Sequence, residues 1–243
     1  EKGFEYASWY GWFDKMVGEN GERPKRFYVN WSEDSRWIAT SIVDTRTAEK
    51  MYMLDHSIDS LYKPKLLSYY RGSPGDTTMV KISPVFYNVE TKKEVKTNLP
   101  TGTHINSVAI EAMKNSGELL AGYSERGYKR EILKHVNLNN GKEETIIEET
   151  SDTNIDNFWF RQFQNKGKVI FLSERSGWRQ LYMVDIKTKE TKPITTGNYY
   201  INSIVYTDED KEEIFFLASG KELNANPYHQ KLYRVNFKGE VTL

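Results

Sequence analysis

Leu181-Tyr-Met-Val184 runs directly into Asp185-Ile-Lys-Thr-Lys-Glu190. An apolar run of strand length that ends on a polar turn headed by Asp reads as half of a β-hairpin. Asn and Asp suit that place because they bond their own backbone and accept left-handed geometry. The same turn recurs as Asn88-Val-Glu-Thr-Lys-Lys-Glu94, Asn137-Leu-Asn-Asn-Gly-Lys-Glu143 and Asn236-Phe-Lys-Gly-Glu240. With Asp185 included, the first residues of the four turns lie 49, 48 and 51 positions apart. A repeat of about 40–50 residues built from short strands is the signature of a β-propeller.

Working outward, a second turn precedes each copy: Ser32–Arg36, Lys114–Gly117, Gln164–Gly167 and Thr207–Lys211. Each is followed by an apolar strand, as in Trp37-Ile-Ala-Thr40, Val169-Ile-Phe-Leu172 and Ile214-Phe-Phe-Leu217. One unit is therefore strand, turn, strand, loop, strand, hairpin, strand: a four-stranded antiparallel blade. The expected fold is all-β, a propeller segment of about four such blades, at 27–100, 104–150, 154–197 and 201–243. The first blade is long. Its insert near 56–80 holds Lys63-Pro-Lys-Leu-Leu-Ser-Tyr-Tyr-Arg-Gly-Ser-Pro-Gly-Asp76, whose prolines and glycines argue against a regular central strand. Residues 1–26, with the aromatic run Tyr6-Ala-Ser-Trp-Tyr-Gly-Trp-Phe13, read either as the tail of a preceding blade or as a loop at the propeller mouth. Both ends of the chain read as cuts.

Charge is balanced, with 34 basic and 34 acidic side chains, so nothing in it calls for a nucleic acid partner. Aromatic residues make up 14% of the chain, which suits half-buried pleated strands. The absence of cysteine excludes disulfides, thiolate metal sites and a cysteine nucleophile.

Catalytic patterns are missing as well. A serine-hydrolase elbow reads Gly-x-Ser-x-Gly, and the nearest string, Arg71-Gly-Ser-Pro-Gly75, does not match it. His56, His104, His135 and His229 show no metal-ligand spacing, and no phosphate loop or dinucleotide fingerprint occurs. No catalytic residue, metal ligand or cofactor is therefore expected. The acidic pairs Glu143-Glu144 and Glu148-Glu149 and the run Asp208-Glu-Asp210 read as solvated charge at turns and strand ends. The segment Leu172-Ser-Glu-Arg-Ser-Gly-Trp-Arg-Gln-Leu-Tyr182 stands out. Its echo at Ser124-Glu-Arg-Gly-Tyr128 favours a structural role, with Gly177 supplying a positive φ.

Residues 173–182, followed by Asp185 and Ile194-Thr-Thr-Gly197, resemble a conserved block of a known family. This is the N-terminal propeller of the dipeptidyl peptidase IV branch of the prolyl oligopeptidase family. Its strand pair reads Ser-x-x-(Asp/Glu)-Gly-(Trp/Tyr)-x-(His/Gln)-Leu-Tyr and precedes Ile-Thr-x-Gly. Trp31-Ser-Glu-Asp-Ser-Arg-Trp-Ile-Ala39 is similar to the family's Trp-Ser-Pro-Asp motif, and the 63–76 insert resembles its blade arm.

The resemblance implies an eight-bladed propeller, of which this chain is about half, seated on a C-terminal α/β-hydrolase domain that carries the Ser, Asp and His. It further implies a peptide substrate, an exported (periplasmic or cell-surface) parent protein and homodimer formation at full length. The chain alone is then a non-catalytic part of a serine-type dipeptidyl or tripeptidyl peptidase. Family members clamp the substrate's ammonium with a Glu-Glu pair just before the Trp-Ser motif. Here that region reads Val17-Gly-Glu-Asn-Gly-Glu-Arg-Pro-Lys25, so Glu19, Glu22 and Arg23 are the expected substrate contacts, with the two acids not adjacent. The other reading is a stand-alone propeller binding module of the periplasmic translocation or surface-receptor type.

Overall fold

The computed structural model describes residues 3–7, 27–56, 63–103, 106–112, 116–156 and 158–243. The described chain is built of strands. The first sheet contains β1 (Phe4–Tyr6), β2 (Asn30–Trp31) and β3 (Trp37–Asp44). A separate two-stranded ribbon follows, β4 (Met51–Asp55) paired with β5 (Lys65–Tyr69). The chain then returns to the first sheet as β6 (Lys81–Asn88), β7 (Lys93–Val95) and β8 (Gly102–Thr103). Three four-stranded antiparallel sheets come next. They comprise β9 (Ala109–Ala112), β10 (Glu118–Ser124), β11 (Arg130–Asn137) and β12 (Lys142–Thr150); β13 (Phe160–Phe163), β14 (Lys168–Ser173), β15 (Gln180–Asp185) and β16 (Thr191–Pro193); and β17 (Tyr200–Asp208), β18 (Glu213–Ser219), β19 (Lys231–Asn236) and β20 (Val241–Thr242). In each, strands adjacent in sequence are adjacent in space. This is the meander of propeller blades.

The first sheet departs from the simple pattern. β1 and β2 pair with the two halves of β3, Tyr6 opposite Ile42 and Asn30 opposite Ala39. They are one strand in two pieces. The sheet thus begins at Phe4, and the expected start at residue 27 gives way to an interrupted first strand. β7 and β8 divide the fourth strand likewise, with Val95 opposite Phe86 and Gly102 opposite Ile82. The insert expected at 56–80 also starts earlier, since its strand Lys65–Tyr69 pairs back onto Met51–Asp55.

The four sequence turns join the third and fourth strands of each sheet, and their first residues behave alike. The side-chain oxygen of Asn88 accepts from Thr91 N, that of Asn137 from Asn139 N, that of Asp185 from Lys187 N and Thr188 N, and that of Asn236 from Lys238 N and Glu240 N. Each turn then needs one left-handed residue: Lys92, Gly141, Lys189 and Gly239 all have φ between 57° and 88°. The repeat is therefore a repeat of backbone hydrogen bonding.

The chain divides into two compact units, residues 1–124 with 136–144, and residues 125–135 with 145–243. In the first, Trp37, Phe86, Leu119, Ala121, Val136 and Leu138 form the core. Trp37 Nε1 also donates to Ser116 Oγ at 3.1 Å, so the ring packs without burying an unmet donor. In the second unit, alternate residues of β14 and β15 (Ile170, Leu172, Leu181, Met183) meet Ile214, Phe216, Ala218, Tyr233 and Val235 of the following sheet. The opposite face of the same two strands is buried as well, with Phe171 and Tyr182 as cross-strand partners at a centroid distance of 5.7 Å. Alternation with both faces apolar is what a sheet covered on both sides requires.

Candidate functional site

Glu19, Glu22 and Arg23 lie outside the described residues, as does the aromatic run from Ser8 to Phe13. The structure does describe where that segment departs and returns. Ala7 N donates to Ser41 O at 2.9 Å, and Tyr28 N donates to Ala7 O at 2.8 Å. Thr40 Oγ1 donates to Tyr28 O at 2.6 Å. Thr40 and Ser41 are the two β3 residues left between the β1 and β2 ladders. Both limbs of the 8–26 segment are thus fastened to one spot on one strand. Ala7 takes φ 52°, a left-handed conformation that strains a residue with a side chain.

This neck borders a cavity of about 420 Å³, lined by Tyr28, Asn30, Thr40, Ser41, Ile82 and Pro84 among others. The lining is uncharged. Phe27, Tyr28 and Trp31 are exposed beside the neck. The next turn is set rigidly. Ser32 Oγ donates to Asp34 Oδ1 at 2.6 Å, and Ser116 Oγ also donates to Asp34. Those two hydroxyls, Ser116 first, hold the Asp34 carboxyl below its ordinary pKa. Asp34 is therefore an acceptor at every ordinary pH.

The other segment singled out in the sequence, 172–182, is a tight connection from β14 to β15. Gly177 takes φ 89°, and Gly177 N donates to Glu174 O at 2.9 Å. Ser173 Oγ donates to Glu149 Oε2 at 2.6 Å, Arg175 Nε donates to Ser173 Oγ at 3.1 Å, and Arg175 pairs with Glu149. The guanidinium also lies 5.0 Å from the Tyr182 ring centre. Gln180 Nε2 donates to Tyr199 O at 2.8 Å and ties this sheet to the start of the next.

Glu149 corrects the reading of the acidic pairs as solvated charge. Glu148 is half-exposed and meets Arg130, but Glu149 is buried. Adjacent strand residues face opposite sides, so one of the pair turns inward and needs the arginine. A small cavity of about 190 Å³ borders this cluster. Its charges are already satisfied by one another, so the cluster serves as a brace for the connection. Ser73 sits in a turn where its N–H donates to Asp76 Oδ2 at 2.6 Å, and no strand-to-helix elbow surrounds it. Ser41 and Tyr28 take no part in the sequence reading of the site because they act through main-chain groups, and Thr40 takes none because the fold alone sets its hydroxyl's partner, Tyr28 O.

A family model described as the dipeptidyl peptidase IV (DPP IV) N-terminal region matches residues 25–243. Among solved structures, dipeptidyl peptidase 4 of Porphyromonas gingivalis superimposes with a TM-score of 0.76 at 18% identity, over 99% of this chain and 32% of that one. A protein assigned as a dipeptidyl aminopeptidase IV from Bacteroides ovatus gives 0.66 at 17% identity, over 88% of this chain and 32% of that one. This chain thus spans about a third of the length of these structures. At such identities the likeness shows the fold, a propeller segment, and the family follows from the match to nearly the whole sequence. The chain belongs to the dipeptidyl peptidase IV N-terminal region family.

Proposed function

We propose that this chain is the propeller segment of a longer dipeptidyl peptidase IV-like serine exopeptidase. It narrows access to a separate α/β-hydrolase domain and holds the free N-terminus of a peptide. The chain itself makes and breaks no bond in this reading. Glu19 and Glu22 supply negative charge for the substrate ammonium, and Arg23 beside them suits the opposite charge of a zwitterionic peptide. The parent protein is exported, to the periplasm or the cell surface, and forms a homodimer.

One observation carries the reading. The first strand of the first sheet is interrupted, and the described residues that flank the segment holding these three residues are bonded to adjacent residues of β3, Ala7 to Ser41 and Tyr28 to Thr40. A rigid sheet that presents an excursion in this way is the usual arrangement for a binding loop.

The test is kinetic, in the full-length protein. Glu19→Gln and Glu22→Gln should each raise KM about tenfold or more for peptides with a free α-amino group, because a charge-assisted contact is lost. N-acetylated peptides should be poor substrates for wild type and variants alike. Unchanged KM in both variants contradicts the assignment. Peptide cleavage by the 243-residue chain alone contradicts the non-catalytic role.

A further inference from the structure

We propose that Met51 and Met53 form an oxidation site: hydrogen peroxide converts both thioethers to sulfoxides, and the exposed ribbon loses an apolar face. Four methionines lie among the described residues, and they divide sharply. Met51 is 38% exposed and Met53 49%, while Met79 is 5% exposed and Met183 4%. Met183 belongs to the core of the second unit. Met79 is closed off by Gly72, where even a Cβ would lie 2.7 Å from the sulfur. A thioether does not ionise, so access decides which methionine reacts.

Both exposed sulfurs are on β4, two residues apart, so they share one face of the ribbon. Met51 is opposite Tyr69 and Met53 opposite Leu67. Cross-strand neighbours share a face, so two thioethers, a tyrosine and a leucine lie together on it. The step is a two-electron oxygen transfer. The sulfur lone pair attacks one oxygen of the peroxide, an S–O bond forms, the O–O bond breaks and water leaves. Sulfur is oxidised and the peroxide is reduced. The sulfoxide is polar and chiral where the thioether was apolar. The ribbon is a sheet of only two strands, and a two-stranded ladder is marginally stable without apolar cover. Oxidation therefore loosens the ribbon and leaves both cores as they are.

The experiment treats the full-length protein with hydrogen peroxide and maps sulfoxide to each methionine by mass spectrometry of its peptides. Met51 and Met53 should oxidise at least about tenfold faster than Met79 and Met183. The double variant Met51→Leu with Met53→Leu keeps the face apolar at similar volume. In it the fast oxygen uptake should vanish from the ribbon, with Met79 and Met183 still slow. After the fast phase, amide exchange across 51–55 and 65–69 should quicken at least about threefold in wild type and not in the double variant. The melting temperature should stay within about 2 °C. Methionine sulfoxide reductases should restore the slower exchange. Oxidation rates at the four methionines within about threefold of one another would overturn the site. Fast oxidation of Met51 and Met53 with unchanged exchange in the ribbon would overturn the loss of its apolar face as a structural event. Quickened exchange that the double variant shares would place the effect of peroxide elsewhere and overturn the proposal too.

Discussion

The first and third sheets share a strand order and differ in almost everything else. The third runs from Phe160 to Pro193 with no strand broken, and its central strands are buried on both faces. The first draws on residues 4–103, splits two of its four strands and sends out the β4–β5 ribbon, on which Tyr52 is 65% exposed and Leu66 57%. The same connection, from second strand to third, is a short turn locked by Glu149 and Arg175 in one sheet. In the other it is the ribbon. A repeated architecture lets one sheet be closely packed while another carries split strands and an exposed ribbon. Each copy needs only its own ladder and its neighbours to stay folded.

The largest effect expected from this contrast comes from deleting a leucine side chain in the third sheet and in the ribbon that the first sheet sends out. Leu181→Ala, fully buried on β15, should cost about 2–5 kcal/mol, read as a lower urea midpoint. Leu66→Ala on the ribbon should stay within about 0.5 kcal/mol. Equal losses would break the distinction between the packed sheet and the exposed ribbon. Next in size is the brace. Arg175→Ala removes the cation paired with the buried Glu149 carboxylate, which keeps its bond from Ser173, and should cost about 1–3 kcal/mol. Adding Glu149→Gln should recover part of that loss, which a double-mutant cycle measures.

What the sequence disclosed and what it hid divide along the same line. The turns were legible because their cause is local: an Asn or Asp side chain bonding N–H groups two to four residues on, as Asn236 does. The core strands were legible from apolar runs such as Val169–Leu172. The split first strand was not, because Phe4–Tyr6 is assigned by its pairing with Ile42–Asp44, far along the chain. A three-residue strand has too little pattern of its own to announce that partner. Glu149 was hidden for a similar reason, since its burial depends on which face of β12 the neighbouring arginine reaches.

The repeated turns offer smaller tests within the third sheet. Lys168 and the backbone of Thr188 hold the Asp185 carboxyl down to about 2. An unfolded aspartate titrates near about 3.9. Because the folded value is the lower, the stabilisation is present above pH ~4 and is lost as pH falls towards ~2. Asp185→Asn should flatten that part of the acid unfolding curve; an unchanged acid limb would show that the turn carboxylate is not engaged. Smaller still, Lys189 occupies a left-handed position, φ 63°, that Gly141 and Gly239 fill in other copies. Lys189→Gly should therefore stabilise by up to about 1 kcal/mol, against a glycine entropy cost that caps the gain.

The central claim is that the first sheet is a scaffold and the segment between its split strands is the working part. Its most direct test replaces residues 8–26 of the full-length protein with Gly-Gly. The neck bonds between Ala7, Tyr28, Thr40 and Ser41 should survive, with melting within about 5 °C of wild type, while kcat/KM for free-amino peptides falls at least about a hundredfold. Full peptidase activity in that deletion, or a protein that no longer folds, would contradict the account.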